Sequence, residues 1–157
     1  MQTVTFTWGV KQSFRGYVES MGGVIETLGG AERSADGGFV FAPAPDSSLT
    51  MNDDGAPQGR GAFQGEVTFK AHGGMLSVFL ADPILEFSDG SAVLSVADSA
   101  ARDRRVDIAK LDLTAMSRGD DGFVIPTSLT IDGSFLLGDH YPPRTALDPV
   151  VLKIASA

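Results

Sequence analysis

Residues 65–76 have the sequence GEVTFKAHGGML, and this stretch decides the fold class that we predict. Its apolar residues Val67, Phe69 and Ala71 alternate with polar ones, which is the period of a β-strand with one buried face. The pair Gly73-Gly74 is a signal for a tight hairpin. We therefore predict two long strands, at 63–72 and 75–87, that are joined at these glycines.

The same alternation assigns His72 to the polar face of the first strand, with Glu66, Thr68 and Lys70. His72 stands at the end of the strand beside the glycine turn, which is not the usual place of a buried structural histidine. It is either an ordinary solvent-facing residue or a functional one.

Further short β-strands are predicted on both sides of this hairpin. The candidates lie at 3–7, 24–28, 38–42, 91–96, 105–113, 122–131 and 150–155. The stretch 43–61 is rich in Pro, Gly, Asp and Ser, so we expect a long loop with at most one short strand near Leu49. About eight to ten strands with closely spaced turns indicate a mainly β protein, with antiparallel sheets arranged as a sandwich or barrel.

One short N-terminal α-helix is expected at about 10–21. Its apolar residues recur with helical spacing and would form one face: Val10, Phe14, Tyr17, Val18 and Met21. The opposite face would carry Lys11, Gln12, Arg15 and Glu19. Gly22-Gly23 is expected to end the helix.

The totals favour one globular domain that spans residues 1–157. Hydrophobic residues make up 43% of the chain and charged residues 20%, which is typical of a folded protein. The absence of cysteine excludes disulfides, thiolate metal sites and cysteine nucleophiles. A formal net charge of −8 argues against binding to nucleic acid or to anionic lipid. No apolar run reaches the roughly 18 residues needed to span a bilayer, and the start of the chain lacks a signal-peptide pattern.

Few side chains are candidates for chemistry. There are two tyrosines, Tyr17 and Tyr141, and two histidines, His72 and His140. Motifs of zinc enzymes, serine hydrolases and phosphate-binding loops are absent. The acidic segments 52–55 and 120–122 have the composition of turns and lack the ligand spacing of a calcium loop. An enzyme that pairs a histidine with a carboxylate remains an alternative that no motif supports.

Four segments resemble the HtaA domain of bacterial haem-uptake proteins. The segment 8–18, WGVKQSFRGYV, is similar to the opening of that domain. Residues 37–41, GGFVF, resemble one of its strands, and residues 65–76 resemble its central hairpin. Residues 147–150, LDPV, resemble its close. The likeness extends over nearly the whole chain.

The resemblance implies a β-rich domain that binds ferric haem b for acquisition or relay and is not an enzyme. Carried over to this chain, Tyr17 is the axial ligand of the iron, His72 donates a hydrogen bond to it, and Tyr141 also influences binding. The chemistry agrees, because ferric iron suits an oxyanion ligand. A hydrogen bond to the phenolate favours the charged form further. In a departure from the family, the segment 139–144, DHYPPR, is Pro-rich and adds a histidine; His140 is then a second ligand candidate, or Tyr141 is displaced.

A haem pocket also needs apolar walls and cations for the propionates. We expect Phe14 and Phe41 among the walls and Arg15 among the propionate contacts. Further wall candidates are Phe39, Met75, Phe79 and Phe135, and further cation candidates are Lys11, Arg60 and Arg144. Expected partners are a haem-donor protein or a membrane haem receptor or transporter, and the expected location of a mature or trimmed chain is secreted or in the cell envelope. The alternative is the same fold without haem, which binds another apolar ligand or a protein.

Overall fold

The computed structural model of the protein describes residues 2–45, 48–51, 57–88, 90–119, 122–138 and 141–156. Two α-helices, α1 (Gln12–Ser20) and α2 (Ile131–Leu136), accompany thirteen strands in this part of the chain. The strands are β1 (Gln2–Trp8), β2 (Val24–Leu28), β3 (Ala31–Arg33), β4 (Phe39–Pro43), β5 (Thr50–Met51), β6 (Pro57–Gln64), β7 (Glu66–Ala71), β8 (Leu76–Ser88), β9 (Ser91–Ala97), β10 (Arg105–Leu111), β11 (Ser117–Gly119), β12 (Gly122–Leu129) and β13 (Ala146–Ser156).

Eight of these strands close into an antiparallel barrel. They follow one another around it in the order β1, β4, β6, β8, β9, β10, β12 and β13, and β13 pairs with β1 again. The prediction of a mainly β, antiparallel fold is confirmed, and the barrel is the form it takes.

The long strand β8 connects the barrel to a smaller sheet. Its first half, residues 76–81, pairs with β7, while residues 84–87 pair with β6 of the barrel. The change of partner falls at Asp82-Pro83, where Asp82 has a positive φ of 49° and the register with β9 shifts. β2 then pairs with β7 to form the edge of this extension. The extension carries the central hairpin away from the barrel wall and towards α1.

The prediction of one continuous strand at 63–72 is wrong, because Gly65 divides it into β6 and β7. Gly65 has φ 140°, which L-residues rarely adopt, and a Cβ atom there would lie 2.5 Å from the backbone nitrogen of Ala31. Its N–H donates to Asp82 Oδ1 and its carbonyl accepts from the Asp82 N–H. After this break, in β7, the predicted alternation is confirmed, because Val67, Phe69 and Ala71 are buried.

The N-terminal helix forms over 12–20 and is shorter than predicted, because Val10 has φ 64° and lies outside it. The expected stop is confirmed: Gly22 has φ 72°, and the N–H groups of Gly22 and Gly23 donate to the carbonyls of Glu19 and Val18. Helix α1 packs on the hairpin extension, with the rings of Phe14 and Phe69 5.0 Å apart.

A second helix, α2, was not predicted. The expected strand at 122–131 ends at Leu129, because the Thr130 side chain accepts a hydrogen bond from the N–H of Gly133 and caps a helix there. Neither helix of the described residues is long and apolar enough to cross a membrane.

Other strand boundaries also differ from the predictions. The short strand expected near Leu49 is β5, but the expected loop 43–61 also contains the start of β6 at Pro57. The last strand begins at Ala146, and β3 and β11 were missed. Residues 52–55, 120 and 121, for which turns were predicted, and His140 lie outside the described residues.

Replacing Gly65 by Ala tests the break between β6 and β7. We expect Gly65→Ala to lower the free energy of unfolding by about 3 kcal/mol, from backbone strain and overpacking together. The control is Gly16→Ala on α1, where an added Cβ meets nothing within 4 Å, and where we expect a gain of about 0.5–1 kcal/mol. Urea denaturation measures both, and equal effects of the two substitutions would contradict the account.

Candidate functional site

Tyr17 and His72 meet on the surface between α1 and the central hairpin. The Tyr17 Oη atom and the His72 Nε2 atom are 2.7 Å apart, a hydrogen bond between residues 55 positions apart in sequence. The two ring centroids are 5.7 Å apart. Tyr17 is 36% exposed, and His72 is exposed as its position on the polar face predicts. The structure therefore brings the first two predicted site residues together and leaves their polar atoms accessible.

The turn that carries His72 differs from the tight two-residue hairpin that we predicted. Residues 72–74 form a 3₁₀ turn, in which the Met75 N–H donates to the His72 carbonyl. His72, Gly73 and Gly74 have successive positive φ values of 54°, 65° and 94°. This conformation is free for glycine and costs a histidine about 1–2 kcal/mol. The hydrogen bond to Tyr17 offsets part of that cost and fixes the direction of the imidazole ring.

Two exposed methionines stand on the elements that carry this pair. Met75 is 91% exposed and directly follows the 3₁₀ turn, and Met21, one helical turn beyond Tyr17, is 49% exposed. Of the apolar residues predicted to share one helical face, Phe14 and Val18 are buried, whereas Tyr17 and Met21 are exposed. An apolar surface next to an exposed phenol and imidazole suits a flat apolar ligand with one polar or metal centre.

Tyr141 lies against the first turn of α1, close to the face that carries Tyr17. Its Oη atom is 3.3 Å from the Ser13 Oγ atom, and Ser13 precedes Tyr17 by one helical turn. The Lys11 Nζ atom lies 5.5 Å from the centroid of the Tyr141 ring and donates to the Ala146 carbonyl. Tyr141 therefore lies beside α1, where its hydroxyl group, the hydroxyl group of Ser13 and the ammonium group of Lys11 are close together. Ser13 was missed at first, although its spacing from Tyr17 was readable in the sequence.

The predicted aromatic walls lie mainly inside the protein. Phe14 is fully buried under α1, Phe41 is 2% exposed and stacks on Phe6 with a centroid separation of 5.4 Å, and Phe39 is fully buried. These three side chains are part of the hydrophobic core. Phe135 is 66% exposed on α2. A direct contact between Phe14 or Phe41 and a ligand stays a prediction.

Arg15 does not lie on the polar face that the helical pattern suggested; it is buried, 7% exposed. Its Nη1 atom is 3.3 Å from Asp148 Oδ2 and from the Gly9 carbonyl oxygen. Ser34 donates a hydrogen bond that lowers the pKa of Asp36, and the N–H of Gly38 and the charge of Arg15 lower this pKa further against the effect of burial. Arg15 thus lies close to the carboxylates of Asp148 and Asp36. Because it precedes Tyr17 by two residues, it is on the opposite side of α1. Its contact with a propionate stays a prediction.

Two clefts of the described residues are not lined by Tyr17 or His72, and this part of the chain has no cluster of metal-binding side chains. One cleft of about 320 Å³ is bordered by Arg60, Phe63 and Asp82, and another of about 320 Å³ by Trp8, Arg15 and Asp148. No group of three or more His, Asp or Glu side chains that could hold a bare metal ion occurs among the residues the structure describes.

The fold is thus a closed eight-stranded antiparallel barrel with extra strands and two helices. A model of the HtaA family matches residues 3–153, so the chain belongs to the HtaA family. The resemblance noted in the sequence is thereby confirmed.

Solved structures of HtaA proteins have the same fold. The N-terminal domain of HtaA from Corynebacterium glutamicum is 25% identical, with a TM-score of 0.76 and coverage of 99% of this chain and 97% of that one. The C-terminal domain of HtaA from the same organism is 23% identical, with a TM-score of 0.73 and coverage of 99% of this chain and 98% of that one. The heme binding protein HtaB from the same organism is 19% identical, with a TM-score of 0.69 and coverage of 99% and 94%. No curated protein matches the chain in sequence.

Substitution of Tyr17 should cost little stability, because its side chain is exposed. We expect Tyr17→Phe to lower the free energy of unfolding by less than about 1 kcal/mol, the net value of one hydrogen bond. Phe14→Ala, on the same helix but fully buried, should cost about 3–5 kcal/mol. Thermal or urea unfolding compares the two. A large loss from Tyr17→Phe would show that the tyrosine is structural and not kept for binding.

Proposed function

We propose that this domain binds ferric haem b as cargo, for haem acquisition or relay, with Tyr17 as the axial ligand. The observation that carries the proposal is the 2.7 Å hydrogen bond between Tyr17 Oη and His72 Nε2 on an accessible surface. Membership of the HtaA family and the fold shared with a heme binding protein of that family support it.

The donor set fits ferric haem. The porphyrin would supply the equatorial ligands, so the protein needs one axial donor, and a phenolate oxygen is a good donor for the hard ferric ion. The imidazole of His72 can donate through Nε2 to the phenolate oxygen, which favours the deprotonated tyrosine that coordination requires. His72 therefore orients the Tyr17 side chain through this hydrogen bond, as hydrogen-bond partners of metal ligands commonly do.

The surroundings of the pair fit the rest of a haem molecule. The side chains of Met21 and Met75 offer apolar surface. Lys11 and the hydroxyl groups of Ser13 and Tyr141 are grouped about one helical turn from Tyr17, where they can receive carboxylates. Tyr141 then influences binding through its hydroxyl group without acting as a ligand of the iron.

The exposure of the pair favours transfer over retention. One axial ligand on an open surface lets a second protein approach the bound haem, whereas a closed pocket would have to open first. We infer a relay role in which the haem comes from a donor protein or passes to a membrane haem receptor or transporter. Such a role places the domain outside the cell or in the cell envelope, and it involves binding and not catalysis.

Titration with hemin tests this proposal through the visible absorption spectrum. We expect a saturable complex of one haem per domain with the spectrum of tyrosine-ligated ferric haem. Tyr17→Phe should abolish that spectrum. His72→Ala should weaken affinity by about tenfold, a usual effect of losing a group behind a metal ligand. His140→Ala tests the second ligand candidate, and we expect it to change neither spectrum nor affinity.

Two results would overturn the proposal. If the wild-type protein shows only the spectrum of free hemin, the fold carries another apolar ligand or a protein partner. If Tyr17→Phe keeps the wild-type spectrum, haem is bound but Tyr17 is not its ligand.

A further inference from the structure

Asp148 makes five hydrogen bonds that join β13 to the start of α1. Its N–H donates to the Val10 carbonyl at 2.9 Å, and its carbonyl accepts from Trp8 Nε1 and from Thr127 Oγ1, each at 2.8 Å. Its carboxylate accepts from the Gln12 N–H at 3.0 Å and from Arg15 Nη1 at 3.3 Å.

The carboxylate of Asp148 acts as the N-terminal cap of α1. Lys11 occupies the N-cap position in extended conformation, and its side chain makes no capping hydrogen bond. The free N–H groups at a helix start need an acceptor, and a negative charge there also complements the helix dipole. Asp148 supplies both from the other end of the chain, 136 residues away.

The segment before the helix is built around the same carboxylate. Val10 is buried with φ 64°, a strained conformation for a β-branched residue. Gly9 has no room for a side chain, because a Cβ atom there would overlap both Asp148 Oδ2 and Arg15 Nη1. The sharp turn from β1 into α1 is therefore packed closely against the Asp148–Arg15 pair.

We infer that Asp148, with Arg15, is a positioning residue that holds α1 and thereby sets Tyr17 against His72. The effect on haem binding rests on the proposed function, whereas the anchoring of α1 rests on the contacts of Asp148 described above. Helix α1 has only nine residues, a length at which an isolated helix is marginal, so its anchors decide how long it stays formed. Phe14 and Val18 anchor it to the core, and Asp148 anchors its first turn. A loose first turn would let the phenol move away from the imidazole.

Asp148→Ala tests the inference, because it keeps the backbone contacts but removes the carboxylate that accepts from Gln12 and Arg15. Arg15→Met is the second variant; it keeps the apolar stem of Arg15 and leaves the Gln12–Asp148 cap in place. Thr127→Val is the matched control, because it removes one hydrogen bond to the Asp148 carbonyl without touching the carboxylate.

Amide hydrogen exchange of the haem-free protein gives the first readout. We expect the amides of residues 15–20 to exchange about fivefold faster in Asp148→Ala, the effect of losing one helix cap. Arg15→Met should act in the same direction, and Thr127→Val should leave α1 unchanged relative to the rest of the chain. If all three variants change α1 equally, Asp148 is a general structural residue and the inference is wrong.

Hemin release to an excess of a haem-scavenging apoprotein gives the second readout. Asp148→Ala should release hemin about fivefold to tenfold faster than wild type, and Thr127→Val within about twofold of it. In a His72→Ala background, in which Tyr17 is still present, Asp148→Ala should change the release rate no further, because its effect passes through the Tyr17–His72 contact. An undiminished effect in that background would overturn the inference. If wild-type protein forms no hemin complex, the proposed function fails, and the exchange experiment still decides the role of Asp148.

Discussion

The ring of Phe69 is the contact on which the arrangement of the site depends. It packs against Phe14 of α1 at 5.0 Å and against Phe39 of the barrel at 5.8 Å, so it joins the helix, the hairpin extension and the barrel in one apolar cluster. Aromatic rings packed in this way tolerate little change in volume. The distance between α1 and β7 is therefore fixed, and Tyr17, three residues after Phe14, and His72, three residues after Phe69, are carried to hydrogen-bonding distance.

The hairpin was predictable because its residues alternate with a period of two and its turn contains two glycines. The core of β7, the exposure of His72 and the glycine stop of α1 followed from local patterns alone. The pair of Tyr17 and His72 came from a family resemblance, because no spacing in the sequence shows that two residues 55 positions apart will meet. Closure into a barrel was left open against a sandwich, since strand order depends on pairing between distant segments.

The errors at Arg15 and Gly65 share a physical cause, which is contact between segments distant in sequence. Arg15 belongs to the polar side of a helical pattern, but Asp148, far along the chain, supplies a carboxylate that makes its burial favourable. Gly65 interrupts an unbroken strand pattern because the backbone of Ala31 passes close to it. The helix α2 is a different case, because it begins at the end of a predicted strand, where Thr130 caps it, a local signal that the β-rich composition around it concealed.

The proposed haem site is exposed beside a rigid barrel, and its helix is held at its start by Asp148 and at its middle by the core. Rigid support with an open face suits a domain that must bind its cargo and then release it. The most direct measurement is a crystal structure of the protein loaded with hemin. The account predicts iron bonded to the Tyr17 Oη atom, with the His72 Nε2 atom still hydrogen-bonded to that oxygen. Iron bonded to His72 or Tyr141, or hemin seated away from α1, would contradict it.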